Sequence, residues 1–314
     1  MRESVFRFWL AFSTLAGILT ICSGTSAREL SRVVAWGDIN YDLTNDVAQP
    51  GRSVARIAAG DFHSLVLQRD GLLLAWGDDR FGQSSVPSIL NRRKVVKIAA
   101  GNVHNLALMG DGTVAAWGPS EGAYGDYGQD AVPVTLKKVK AIAAGSVHSL
   151  ALRRDGTVAA WGFDDYGQCD VPARLNHVVA IAGGMYHSLA LKRDGTVVAW
   201  GYDNLGQSTV PKGLNHVVAI AAGGFHSLAL KSDGTVVSWG GYGLSQIDVP
   251  PGLSNVVAIA TGDYHSLALR RDGTIVAWGL NTFGQCDIPP GLKNVRAIAA
   301  HGRHSMALLK TTAR

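Results

Sequence analysis

His226-Ser-Leu-Ala-Leu-Lys-Ser-Asp-Gly-Thr-Val-Val-Ser-Trp239 sets two short apolar runs on either side of Asp233-Gly234. Asp-Gly supplies the positive φ values of a two-residue hairpin turn, so the stretch predicts an antiparallel hairpin. Counting outward from such a turn places Leu230 opposite Val237 and Leu228 opposite Trp239. The large apolar residues then share one face, and Ala229 and Ser238 share the other. A unit with one bulky and one small face can pack against copies of itself around an axis, with no need for helices.

Copies are present. His-Ser or His-Asn recurs at His63, His104, His148, His187, His226, His265 and His304, and Trp-Gly recurs at Trp36, Trp76, Trp117, Trp161, Trp200, Trp239 and Trp278. The period is 39 residues from His148 to His304, and histidine and tryptophan stand 13 residues apart in the six uninterrupted copies. Such a period means an array, a solenoid or a propeller. The first tryptophan has no histidine before it and the last histidine has no tryptophan after it, so one unit is split between the two ends. An open solenoid would leave each half unit with a bare strand edge, whereas a closed ring leaves none. The fold class is therefore all-β, a seven-bladed β-propeller closed by its terminal strands. His304 to Lys310 should pair antiparallel with Arg32 to Trp36. An apolar run before each histidine, such as Val217 to Ala222, gives a third strand per blade, and the Gly-Gln-x-x-Val-Pro stretch gives at most a short fourth.

Residues 1–27 carry Arg2 and Arg7, an uncharged apolar stretch from Phe8 to Cys22, then Ser23-Gly-Thr-Ser-Ala27. That is the layout of a secretory signal peptide cleaved after Ala27, too short an apolar run for a membrane span. Lipid attachment at Cys22 is the rival, though Ile21 is bulky for a lipoprotein signal. The mature chain, residues 28–314, is then one exported propeller, periplasmic or extracellular, and monomeric. Cys169 and Cys286 occupy equivalent positions three repeats apart, too distant on the ring for a disulfide. They are expected to be free thiols.

The formal net charge is +5, and basic residues gather beside the Asp-Gly turns, among them Arg69, Arg153, Arg154, Lys192, Arg193, Lys231, Arg270 and Arg271. Without interleaved aromatic residues, this reads as a solvated rim rather than a nucleic-acid surface.

Strand direction puts the Gly-x-x-His corners and the Trp-Gly loops on one face, the top, where the copies differ most. Candidate partner-binding residues there are Asp61, Phe62, Phe163, Asp164, Tyr186, Tyr202, Phe225, Tyr242, Asp263, Tyr264 and Arg303. Stiff aromatic anchors with a few charges suit protein recognition, although the same rings could instead plug the channel. The seven histidines recur at one position in every blade, which marks them as hydrogen-bonding struts. A shared metal ion would need several to converge, so no metal site is expected. His301 replaces the glycine found at Gly60, Gly101, Gly145, Gly184, Gly223 and Gly262; that departure reads either as functional or as relaxed terminal sequence. No catalytic triad, phosphate loop or cofactor motif stands outside the repeat, so a non-enzymatic binding protein is expected. A glycan-binding or lyase-type propeller remains the alternative.

Over residues 30 to 310, Ala-Ala-Gly-x-x-His-Ser-Leu-Ala-Leu-x-x-Asp-Gly-Thr-Val-x-x-Trp-Gly-x-x-x-x-Gly-Gln resembles the regulator of chromosome condensation repeat. The short repeat followed by Val-Pro-x-Gly-Leu resembles the form in secreted bacterial β-lactamase inhibitor proteins of the second type. The resemblance implies a seven-bladed propeller with mostly three-stranded blades, binding protein through one face. A serine β-lactamase or penicillin-binding enzyme is one partner it suggests. Eukaryotic members act as guanine nucleotide exchange factors through an inserted wedge. Here the one sizeable insertion, within Pro119 to Tyr127, is about five residues long, so exchange activity is not expected.

Overall fold

The computed structural model describes residues 30–38, 53–119, 125–243 and 245–311. The signal-peptide reading, Cys22, and residues 120–124 of the insertion lie outside the described residues. No helix among the described residues is long and apolar enough to cross a membrane.

The described residues form seven three-stranded antiparallel sheets. Blades 1 to 6 cover residues 54–77, 95–117, 139–162, 178–201, 217–240 and 256–279 in order. Blade 7 combines Val295–His301 and His304–Thr311 with Leu30–Gly37 from the other end of the chain. Its terminal strand is the middle one, pairing Arg32 with Leu309, Val34 with Ala307 and Trp36 with Ser305. The expected closure is therefore present, and each blade has three strands with no fourth among the described residues. The first strands of neighbouring blades approach one another and line the axis. Each first strand is bulged near its start, as at Val217/Ala219. On that strand Arg56 and Lys97 reach across to the next blade, donating to the Val96 carbonyl at 2.7 Å and the Lys140 carbonyl at 2.5 Å.

The hairpin register corrects the sequence reading by one residue. Ser227 faces Trp239, Leu228 faces Ser238, Ala229 faces Val237 and Leu230 faces Val236. The turn holds three residues, Ser232, Asp233 and Gly234, because Asp233 turns its carboxylate onto the Thr235 N–H at 3.0 Å and Gly234 takes φ +81°. The bulky residues are consequently shared between faces. Leu228, Leu230 and Val236 pack on Ala268 and Trp278 of blade 6, while Ala229, Trp239 and Val237 receive Leu189 and Leu191 of blade 4. Six of the seven interfaces thus seat a leucine pair of one blade against the alanine and indole of the next, and between blades 7 and 1 Met306 and Leu308 meet Val66 and Trp76 instead. Full burial of each such leucine is worth roughly 1.5–3 kcal/mol.

Polar side chains fasten the same interfaces. Each corner histidine bonds through Nε2 to the residue after the histidine in the next blade, at 2.6 to 3.1 Å, all the way round from His63 with Asn105 to His304 with Ser64. The Ser227 hydroxyl donates to the Gln207 carbonyl at 2.9 Å, which also accepts the Trp239 indole N–H at 3.0 Å. With its proton so engaged, Ser227 accepts from His187, which must carry hydrogen on Nε2. Asn105 serves the same role with an amide, accepting from His63 and donating to the Gln83 carbonyl. The histidines are struts, as their recurrence indicated.

Candidate functional site

Backbone bonds zip the two sets of variable loops together on the top face. Asp78 donates to the Phe62 carbonyl, Phe163 to Val147, Tyr202 to Tyr186 and Leu280 to Tyr264, at 2.8 to 3.0 Å. A second set ties the corners across blade boundaries around the channel: Asp61 to Gly101, Ser146 to Gly184, Met185 to Gly223 and Asp263 to Gly302. The loops that differ between copies are therefore carried on a rigid rim. Buried glutamines brace them from below, as Gln168 does by accepting the Tyr166 N–H at 3.1 Å.

The face divides by chemistry. Over blades 2 to 4, Phe163 lies 4.9 Å from Tyr127 and 5.9 Å from Tyr186, and Tyr166 lies 5.0 Å from both Tyr186 and Tyr202, measured between ring centroids. Over blades 5 and 6, Phe225 meets Tyr242 at 4.7 Å and Tyr264 at 5.6 Å. Tilted, edge-on and stacked contacts of this kind hold aromatic rings stiffly. Tyr127, Tyr166 and Tyr242 keep about half of their surface exposed, at 46%, 47% and 51%, whereas Phe225 is buried at 8%. Phe225 is thus the floor beneath Tyr242 and Tyr264 rather than a free anchor. Phe62 stands on blade 1, its carbonyl accepting the Asp78 N–H.

Sequence reasoning missed Tyr166 and passed over Tyr127 as merely the end of an insertion. Both stand two residues before the buried glutamine, where Phe81 and Phe283 stand in other copies. That recurring aromatic was the available signal. Asp164, by contrast, is a loop brace, since its carboxylate accepts the Cys169 N–H at 2.7 Å, as Asp203 accepts the Ser208 N–H. Cys169 and Cys286 are unpaired and donate to the Phe163 and Leu280 carbonyls, the place that Ser208 takes on Tyr202. Burial pushes the two thiols up to about 12 and about 11.

Charge occupies the other half, over blades 6, 7 and 1. A carboxylate oxygen from each of Asp61 and Asp263 and a ring nitrogen of His301 all lie within 4.8 Å of one another at the channel. Burial, and then the Asp263 charge, raises Asp61 well above the usual carboxylate range. Burial likewise raises Asp263 to about 6, while Arg303 opposes both shifts. Burial lowers His301 to about 4, so its ring is neutral near pH 7. The Arg303 guanidinium lies 4.3 Å over the Phe283 ring, a cation–π contact that holds it at this rim. Sequence reasoning expected no convergence of metal-ligating groups. That is true of the seven corner histidines, which bond outward around the ring, but not of His301 with the two aspartates.

Comparison with known proteins follows the same architecture. The profile of the Regulator of chromosome condensation (RCC1) repeat matches residues 54–83, 95–129, 139–168, 178–207, 217–241 and 256–285. No curated protein matches the sequence. Among solved structures, Prp20p from Saccharomyces cerevisiae superposes with TM-score 0.76 at 21% identity, over 91% of this chain and 92% of that one. Human WBSCR16 gives 0.70 at 18% identity, over 90% and 100%. The ectodomain of the Physcomitrella patens receptor kinase CR4 gives 0.64 at 23%, over 80% and 69%. At these identities the shared property is the fold. With six matched repeats, and a seventh blade assembled from the two chain ends, the chain belongs to the regulator of chromosome condensation repeat family.

Proposed function

We propose that this propeller is a non-enzymatic module that binds another protein through the top face. The observation that carries the reading is two groups of interlocked aromatic rings, Tyr127 to Tyr202 and Phe225 to Tyr264, with three tyrosines half exposed on a hydrogen-bonded rim. Large rings held at low entropic cost are the usual anchors of protein interfaces, and neighbouring charges fix orientation. Prp20p, a relative in fold, is described with binding properties to Gsp1p and histones, so the architecture is compatible with such use. Export is part of the proposal, resting on the layout of residues 1–27; N-terminal sequencing of the secreted chain should then begin at Arg28.

The test is affinity capture on the mature chain from the envelope and medium of its source, run beside Tyr166→Ala and Tyr242→Ala. Each substitution should weaken retention of the specific partner by about 2 kcal/mol or more, while Arg193→Ala on the opposite rim should leave it unchanged. Capture that all three variants preserve, or retention of a polysaccharide in place of a protein, would contradict the reading. The narrower expectation of a serine β-lactamase partner is checked by titrating such enzymes with the mature chain. Loss of hydrolysis at micromolar protein is the expected sign, and undiminished hydrolysis removes that partner.

A further inference from the structure

Three departures from the repeat fall on three neighbouring blades. Three residues before the corner histidine, six blades carry glycine and blade 7 carries His301. Two residues before it, the seven copies read Asp61, Asn102, Ser146, Met185, Gly224, Asp263 and Gly302. The two carboxylates thus occur only in blades 1 and 6, the two that flank blade 7. Nothing in the repeat requires this coincidence, because the glycine position serves the fold as it stands. A Cβ at Gly184 would lie 2.3 Å from the His187 ring and 2.5 Å from the Gly223 carbonyl. Blade 7 admits a side chain there because its first strand runs on to His301, which pairs with His304 across a tight turn at Gly302 and Arg303.

The groups brought together are those of a metal site. The His301 ring nitrogen and the two carboxylates converge within 4.8 Å, and His301 Nδ1 is shut away from solvent with no hydrogen-bond partner. The carboxylates face each other, and Arg303 is the cation that partly offsets them. One imidazole nitrogen with two carboxylate oxygens suits a borderline divalent ion better than a hard one, which prefers oxygen alone.

We propose that Asp61, Asp263 and His301 together hold one divalent cation of the zinc type at the channel mouth. Coordination at about 2.0–2.2 Å asks the ligand atoms to close by roughly 1 Å, within reach of side-chain rotation. The ion bridges blades 6, 7 and 1 and so clasps the blade in which the two chain ends pair. A site assembled from three blades exists only in the folded ring, so the ion stabilises the fold by mass action. This inference does not depend on the partner-binding reading.

The experiment uses the full chain without an affinity tag, stripped with a chelator, then titrated separately with Zn²⁺, Mn²⁺ and Co²⁺. One equivalent should bind saturably and raise the thermal midpoint, and the Co²⁺ form should show visible absorption characteristic of a nitrogen-bearing site. His301→Gly restores the residue of the other six blades and should fold. It should bind at least about tenfold more weakly and lose the Co²⁺ signal, as first-sphere ligands do when removed. Asp61→Asn and Asp263→Asn, which preserve shape, should each weaken binding to a similar degree. Absence of a saturable equivalent up to millimolar metal, or unchanged binding and absorption in His301→Gly, would overturn the proposal.

Discussion

At the scale of single residues, the molecule is organised by side chains that look like separate motifs in the sequence. Ser227 accepts from His187 of the preceding blade and donates to the Gln207 carbonyl, to which Trp239 also donates. Histidine, serine, tryptophan and glutamine recur together because each satisfies another across a blade boundary. The histidines pay no charge penalty at neutral pH because burial lowers them to about 3 or about 4, and their Nδ1 atoms have no partner for a second proton. The sign of the linkage follows. In the unfolded chain these rings take up protons near pH 6.5 while the folded ring does not, so stability is full above about pH 6.5 and falls as pH drops towards 4. Each histidine contributes a slope of up to about 1.4 kcal/mol per pH unit. Asp61 and Asp263, with raised values, act in the opposite sense over part of that range, but they are two groups against seven. Tryptophan fluorescence followed against pH should therefore report cooperative acid unfolding between about pH 6 and pH 4; native fluorescence retained at pH 3 would contradict it. The strut role was legible in the recurrence of histidine. Its partner was not, because the bond spans 40 residues and joins two blades.

The hairpin is the element that sequence reading placed correctly and registered wrongly. Asp-Gly between apolar runs implies a two-residue turn, but Thr235 follows, and Asp233 caps its N–H and hydroxyl at 3.0 and 2.6 Å. That local bond admits a third residue into the turn and moves Trp239 from the face of Leu228 to the face of Ala229. The consequence is a better fit, since the indole lies over small neighbours and the leucines are free to enter the next blade. Gly234 at φ +81° is where the turn needs a residue without a side chain. Gly234→Ala should cost about 1 kcal/mol in urea unfolding, whereas an unchanged midpoint would contradict the positive φ at this turn. The top loops show a different limit. Tyr186, Tyr202 and Tyr264 were legible as variable residues beside a fixed corner, but Tyr166 was not, because it lies next to the recurring Gly-Gln that reads as scaffold. Its role emerges only where two loops fold against each other and bring it 5.0 Å from both Tyr186 and Tyr202.

At the scale of the whole molecule, closure assembles the charged half of the top face. The ring is legible in the sequence because a split unit leaves two incomplete ends that only each other can complete. What the sequence could not give was distance across the ring. Asp61 and Asp263 stand 202 positions apart, and only closure sets them on either side of His301. Blade 7 is also the one blade whose strands are not joined in sequence at every turn, so its middle strand, His304–Thr311, holds the two ends of the chain together. Removing residues 305–314 should strip the partners of Leu30–Gly37 and Val295–His301, baring two strand edges and the leucine face that Trp36 shares with Leu267 and Leu269. The most direct measurement is equilibrium urea unfolding of this truncated chain beside the full one, with size-exclusion chromatography on both. The truncated protein should lose its single cooperative transition and self-associate. A monomer that unfolds cooperatively at the midpoint of the full chain would contradict closure by the termini.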